Sequence, residues 1–461
     1  MEFRLSPYGA ASTRPAPVNQ MMADFATDFR DGVDINLGVG YVNEATIPSM
    51  RILEAMEAVN AHPEIHRQAL NYGGPQGSPN LTTSIRRFLT EHRNVPGEIL
   101  SRKHIIIGAN GATSLLEGIA DVIAPGIVIT SDPMYYIYCN TLERKGFRIL
   151  AVPEEEEGVA PEAVEAALQS LGSQRDSIAF LYFVTVNNPS CAILSNERRQ
   201  KLVHLASCLS REQGRIIPLF FDQAYELLVH DPSVPPLDSG LLYDELGVVY
   251  ELGTLSKILA PALRIGYMIG APGPFMNAMT QKTSDVGFSA PLITQEIASY
   301  LLDRHVMEQL KSVNSGYRRK ALEMRQGIDR ELGAFLSGCR GGQAGFYFYL
   351  TFHSVETHTA SAFFRYLTRT TGQANIDGPA DNKRPRVIYI PGEYCVHPKG
   401  QMLDLGRRQL RLSYGFEETP HIIAALAHMR EAAAWSLSPP VIHAFSYTSA
   451  SLYNARNLHT A

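Results

Sequence analysis

The sequence predicts an α/β protein: a large domain whose mostly parallel sheet is flanked by helices, joined to a smaller α+β domain. Three observations carry this expectation. From about residue 104, short β-rich runs alternate with helical stretches. Those runs are apolar throughout rather than alternating, as in strands covered on both faces. After Pro291 the pattern changes to a long helical stretch followed by separated aromatic-rich strands, which marks a second unit. A chain of 461 residues is long enough for both.

The elements follow in order. His104–Ala109 reads as a strand and Ala112–Ile123 as a helix; Gly126–Thr130 is a strand, Tyr136–Lys145 a helix and Phe147–Val152 a strand. Ser177–Phe183 is a further strand. Asn196–Gln213 is a helix, with Gly214 placed to end it. Ile216–Asp222 and Val248–Thr254 complete the run. Leu292–Leu332 reads as helical with breaks near Ser312–Gly316, and strands are expected at Gly345–Phe352, Val387–Pro391 and Gln409–Tyr414. A closing helix spans about Pro420–Ala434, and Thr371–Arg386, rich in Gly, Pro and Asn, reads as a loop. The expected division is 1–47 as an N-terminal arm with part of the small domain, 48–300 as the large domain, 301–436 as the small domain and 437–461 as a C-terminal extension.

Composition narrows the partners. Apolar content of 45% and charged content of 19% are ordinary for a soluble globular chain. A net charge of −5 gives no electrostatic reason to expect nucleic acid or an anionic membrane. No stretch is apolar enough to span a bilayer, and the first residues lack the apolar core of a signal peptide. The five cysteines are scattered and odd in number, which favours free thiols in a reducing cytoplasm. His62 and His66 have metal-like spacing, but Pro63 interrupts a helix there and no metal is expected.

Lys257 is the residue that points to chemistry. It lies in Glu251-Leu-Gly-Thr-Leu-Ser-Lys257, between two segments that read as buried strands. Desolvating an ammonium there is costly without a chemical reason. Thr254, Ser256 and Arg264 flank it, so hydroxyls and a guanidinium converge where a phosphate can be held. The set suits a lysine that forms a Schiff base with a phosphorylated carbonyl cofactor. Gly108–Thr113 joins a strand to a helix start and brings free N–H groups. Tyr135 and Tyr136 offer aromatic faces after the next strand, and Asn188 follows the strand ending at Phe183. Asp222 directly ends an apolar strand, where a carboxylate needs a cation such as a protonated pyridine nitrogen. Each motif alone has an ordinary structural explanation. Together, at strand ends and in this order, they have none.

The set resembles the class I/II aminotransferase family of pyridoxal 5′-phosphate enzymes, which adopt fold type I, from about Asp34 to about Ala434. The resemblance implies that Lys257 forms the Schiff base and shuttles the substrate's Cα proton. It implies that Asp222 pairs with the pyridinium nitrogen, while Asn188 and Tyr225 hydrogen-bond the phenolic oxygen. Ala112, Thr113, Thr254, Ser256 and Arg264 would hold the phosphate, and Tyr135 would stack on the ring. Tyr72 resembles the tyrosine that reaches the phosphate of the other subunit, which implies a homodimer with shared active sites. Arg411 matches the arginine that grips the substrate α-carboxylate, with Gly40 a backbone contact. The implied reaction is amino-group transfer from an α-amino acid to a 2-oxo acid.

Two hints within the resemblance differ. The Lys257–Arg264 spacing is similar to that of the aminoadipate/kynurenine-type branch. The run Gly111–Glu117 is also similar to aminocyclopropane-carboxylate synthases. That similarity implies an alternative: a lyase or carbon–carbon-bond-forming enzyme acting by Cα deprotonation and γ-elimination on S-adenosylmethionine. A regulator reading would need a DNA-binding module, and no helix-turn-helix signal precedes the family pattern. Departures from the pattern are Cys191 where the family has glycine, Tyr136 where it has proline, and no arginine between Ser284 and Pro291 for a distal carboxylate. They point to specialised, secondary-metabolite chemistry.

Overall fold

The computed structural model describes residues 3–370, 373–377 and 384–438; the expected extension at 437–461 falls, apart from its first two residues, outside them. A short strand β1 (Ile35–Asn36) precedes the main sheet. That sheet is built from β2 (His104–Ile107), β3 (Ile127–Asp132), β4 (Arg148–Glu155), β5 (Gly158–Val159), β6 (Ile178–Val184), β7 (Leu219–Asp222), β8 (Val249–Thr254) and β9 (Gly266–Gly270). Its order is β2-β9-β8-β7-β6-β3-β4-β5. The pairs from β8 through to β4 are parallel, while β9 and β5 run antiparallel to their neighbours. Every residue of β3, β6, β7, β8 and β9 is buried. Helices on both faces account for that burial and for the unbroken apolar runs.

The chain proceeds outward from β3 to β4, then returns through β6, β7 and β8 on the other side of β3. Between β3 and β6 the winding direction reverses. A crevice opens at the carboxyl ends of strands at such a reversal. Asp132, Val184, Asp222 and Thr254 are the last residues of β3, β6, β7 and β8.

The second unit is an antiparallel sheet, order β10-β11-β14-β13, from β10 (Leu336–Gly341), β11 (Tyr347–Phe352), β13 (Ile390–Pro391) and β14 (Gln409–Ser413). The N-terminal segment joins it: β1 pairs in parallel with β12 (Val387–Ile388). Asp34, just before β1, is buried and ion-pairs with Arg30 at 2.7 Å and Arg386 at 3.0 Å. Breaking one arm would leave a buried charge uncompensated, so the triad pins the N-terminal segment in place.

Two expectations need correction, and one strand was not anticipated. The long helical stretch breaks at His305, between helices Leu292–Arg304 and Val306–Leu332, and runs unbroken through Ser312–Gly316. Gly316 points a would-be Cβ into open space, while Val313, Tyr317, Ala321 and Met324 carry the buried face past it. Thr371–Arg386 is not all loop, because Ala374–Asp377 forms a helical turn. Its Asp377 accepts a hydrogen bond from Arg369 Nε at 3.1 Å. Strand β10, polar and glycine-rich, carries no apolar signal; its backbone pairing with β11 makes it a strand.

Candidate active site

Ten side chains singled out along the chain line a single cavity of about 160 Å³ at the carboxyl ends of β6, β7 and β8. They are Ala112, Thr113, Tyr135, Asn188, Asp222, Tyr225, Thr254, Ser256, Lys257 and Arg264. Most follow a buried strand by zero to four residues, so the sheet's rigidity fixes their origins.

Lys257 sits in the turn after β8. Its Nζ donates to the Gly40 carbonyl at 3.0 Å and lies 5.6 Å from the centre of the Tyr225 ring. Burial, with Arg411 and Arg264 nearby, lowers its pKa to about 8. No carboxylate ion-pairs it among the described residues. An amine in this state is partly neutral near neutral pH, as a nucleophile and proton carrier must be.

Asp222 is buried at the end of β7. It accepts from the Tyr182 hydroxyl at 2.7 Å and from the Ala224 N–H at 3.0 Å. Burial raises its pKa, and among the described residues no cation offsets that shift. A carboxylate held this way is poised for a cationic N–H entering the cavity.

On the opposite wall the helix Gly111–Val122 begins at the cavity with no side-chain cap. Asn110, its N-cap, instead accepts from Arg264 Nε at 2.6 Å. Arg264 adopts φ +54° to reach this position. Gly266 passes so close to this helix start that a Cβ there would overlap the Ala112 backbone nitrogen. Thr254 Oγ1 is 3.0 Å from Ser256 Oγ and donates to the Ile265 carbonyl at 2.9 Å. Helix N–H groups, two hydroxyls and a guanidinium thus surround one end of the cavity, the donor set that a phosphate dianion requires.

Arg411 is buried on β14. Its Nη1 donates to Asn188 Oδ1 at 2.8 Å and its Nη2 to the Gly38 carbonyl at 2.5 Å, while Nε has no partner among the described residues. No carboxylate ion-pairs it among the described residues. Its charge is therefore open to an incoming one.

Tyr72 lies away from the cavity. It is 80% exposed, with its ring centre 5.8 Å from that of Phe288. Gly40 stands beside Lys257 and Tyr347: a Cβ on it would lie 2.6 Å from the Tyr347 hydroxyl. Cys191 is buried with φ +53°, the left-handed conformation that a glycine adopts freely. Tyr136 is buried; burial raises its phenol's pKa, against the opposing charge of Arg411 nearby. His66 Nδ1 pairs with Glu296, and among the described residues no group of three His, Cys, Asp or Glu could hold a metal. The reading from sequence omitted Tyr182, Tyr347 and the Gly38 carbonyl. Tyrosines inside apolar strands look like core, and a backbone carbonyl leaves no sequence signal.

Residues 33–378 match the family model described as aminotransferase class I and II. A regulator described as the uncharacterized HTH-type transcriptional regulator YisV of Bacillus subtilis is 26% identical over 73% of this chain and 65% of its own length. The aromatic-amino-acid aminotransferase 1 of Thermococcus litoralis is 28% identical over 52% of this chain and 56% of its own. The chain therefore spans less than two thirds of either relative. Among solved structures, the multiple substrate aminotransferase of Thermococcus profundus superposes with a TM-score of 0.78 at 20% identity, covering 94% of this chain and 98% of that one. That is a likeness of fold. With the family model spanning the strand-end motifs and the cavity they form, the chain belongs to the class I and II aminotransferases.

Proposed function

We propose that the chain is a pyridoxal-phosphate-dependent aminotransferase acting on an α-amino acid. The observation that carries it is a half-buried lysine with pKa near 8 sharing a cavity with a buried carboxylate that no cation pairs among the described residues. The residues fit the cofactor: a three-sided anion cradle at one end, Asp222 for a protonated ring nitrogen, and Tyr135 for its face. When bound, pyridoxal phosphate supplies an electron-withdrawing ring that takes up the electron pair left at the substrate carbon.

The protein's own residues do the rest. Ala112, Thr113, Thr254, Ser256 and Arg264 hold the phosphate. Asp222 keeps the ring nitrogen protonated, with Tyr182 and the Ala224 N–H fixing the carboxylate. Arg411 receives the substrate carboxylate in a charge-assisted bond, and Asn188 beside it sets the guanidinium's direction. Lys257, once released, takes the proton from the substrate Cα and returns it nearby; its lowered pKa suits both transfers. No observation in the site favours the elimination reaction on S-adenosylmethionine.

We further infer a cytoplasmic homodimer. The support is a group of exposed apolar side chains: Met50, Leu53 and Met56 on the helix Ser49–Ala61, then Ile65, Leu70 and Tyr72. A patch of this kind calls for a partner surface, and Tyr72 on it would serve the other subunit's phosphate. The free cysteines favour a reducing compartment, and among the described residues no helix is long and apolar enough to cross a membrane. The acidic balance argues against nucleic acid as a partner.

The test is a single-turnover assay with a panel of amino acids and S-adenosylmethionine. Recovery of pyridoxamine phosphate with a matching 2-oxo acid supports transamination and identifies the donor. Consumed S-adenosylmethionine with unchanged pyridoxal phosphate would defeat it, as would turnover by Lys257→Ala. Mixing Lys257→Ala with Tyr72→Ala subunits restores activity if the sites are shared.

A further inference from the structure

We propose that Tyr347 is a positioning residue that couples the grip on the substrate carboxylate to the hydrogen bond at the cofactor's phenolic oxygen. The inference rests on the aminotransferase reading and adds to it a residue from the small sheet. Tyr347 is fully buried on β11 and registers opposite Ser413 of β14, two residues along from Arg411. Its ring lies under that arginine, 4.3 Å from the guanidinium carbon. Its hydroxyl is 2.8 Å from the Tyr225 hydroxyl. Only glycine at position 40 leaves room for that hydroxyl, and the carbonyl of Gly40 takes the Lys257 ammonium. One side chain therefore touches the carboxylate-binding arginine, the tyrosine at the phenolic oxygen and the backbone beside the lysine.

Phenylalanine would pack and stack as well as tyrosine here. The buried hydroxyl therefore needs a reason, since it costs desolvation unless it is bonded. Tyr225 has one proton to donate. If that proton goes to the cofactor's phenolic oxygen, the proton between the two tyrosines comes from Tyr347. Burial pushes the Tyr347 phenol up to about 12, so it keeps that proton across the working range. A donor on the Tyr225 oxygen polarises its O–H bond and strengthens the outgoing hydrogen bond. That bond draws negative charge from the phenolic oxygen, and this charge is what stabilises a proton on the nitrogen contributed by Lys257. Tyr347 thus lowers the pH at which the bound cofactor loses that proton. The other groups facing Lys257 are Arg411, Arg264, Asp222, Tyr135 and Tyr225, and a Tyr347→Phe change leaves each in place.

The experiment uses holoenzyme of the wild type, Tyr347→Phe and Tyr347→Leu. Two readouts are taken: the pH midpoint of the bound cofactor's visible absorbance, and KM against kcat for the amino-acid half-reaction. Tyr347→Phe is expected to raise the midpoint by about half a pH unit and to leave KM within about twofold, since the ring stays under Arg411. Tyr347→Leu is expected to raise the midpoint equally and KM about tenfold through loss of the stack. An unmoved or lowered midpoint in Tyr347→Phe overturns the proposal, as does an equal KM defect in both variants. The phenylalanine variant keeps the core filled and decides the hydroxyl even where the leucine variant fails to fold. A wild type whose absorbance shows no titration dependent on Lys257 would instead defeat the functional reading, so the two failures are distinguishable.

Discussion

Asp222→Asn should push the empty and the loaded protein in opposite directions, and the structure sets both signs. In the empty protein Asp222 is buried, its pKa is raised by burial, and among the described residues the Tyr182 hydroxyl and the Ala224 N–H alone offset its charge. A carboxyl whose folded pKa lies above its unfolded value binds more protons folded than unfolded between the two. Stability is therefore lost as pH rises from the ordinary aspartate value to the raised one, and it stays lower above that. Asparagine is nearly isosteric and does not titrate. It can still accept from Ala224, but the Tyr182 proton loses its acceptor, a pH-independent cost of about 1 kcal/mol. The variant's melting temperature relative to wild type should thus increase between pH 4 and pH 8. In the loaded protein the same change removes a charge-assisted hydrogen bond worth about 1.5–3 kcal/mol, or about 10- to 150-fold in cofactor affinity. Calorimetry of apoprotein across that pH range and equilibrium titration with pyridoxal phosphate read the two effects. A melting difference that does not change with pH, or undiminished cofactor affinity, would refute the reasoning.

Three further outcomes follow from the same site. Arg411→Lys keeps the charge but loses the planar fork, so KM for the amino acid should rise about 10- to 100-fold with the cofactor's absorbance unaltered; an unchanged KM would place the carboxylate elsewhere. Lys257 has a folded pKa lowered to about 8, so its amine is neutral above that value and charged below it. The rate at which apoprotein captures pyridoxal phosphate should climb to about pH 8 and then level, and stopped-flow absorbance showing a rise continuing past pH 9 would contradict the assignment. Gly266→Ala sets a Cβ against the Ala112 backbone, which no rotamer change relieves. It should cost about 1–3 kcal/mol of stability and weaken cofactor binding by displacing the helix start; thermal melts and phosphate-ester binding at wild-type levels would show that the helix start does not depend on this contact.

Much of the site could be read along the chain because its residues sit where strands end. Apolar runs such as Ile178–Val184 are covered on both faces, so they announce themselves, and the polar residue that breaks each run marks the crevice. Asn188, Asp222 and Lys257 are all of this kind. The helix break at His305 and strand β10 were not legible, because a packed face and a neighbouring backbone decided them.

The residue pattern by itself determined the α/β class and pointed to the lysine and the acid that shares its cavity, each a polar exception in an apolar setting; the arginine on the second sheet was marked only by the resemblance to the family. The tertiary structure decided which of them meet. It brought Gly38 and Gly40 beside Arg411 and Lys257 and laid Tyr347 between them. It also turned Tyr72 away from its own cavity. These relations depend on how two sheets and an N-terminal strand pack, and contacts across hundreds of residues leave no local mark on the chain that makes them.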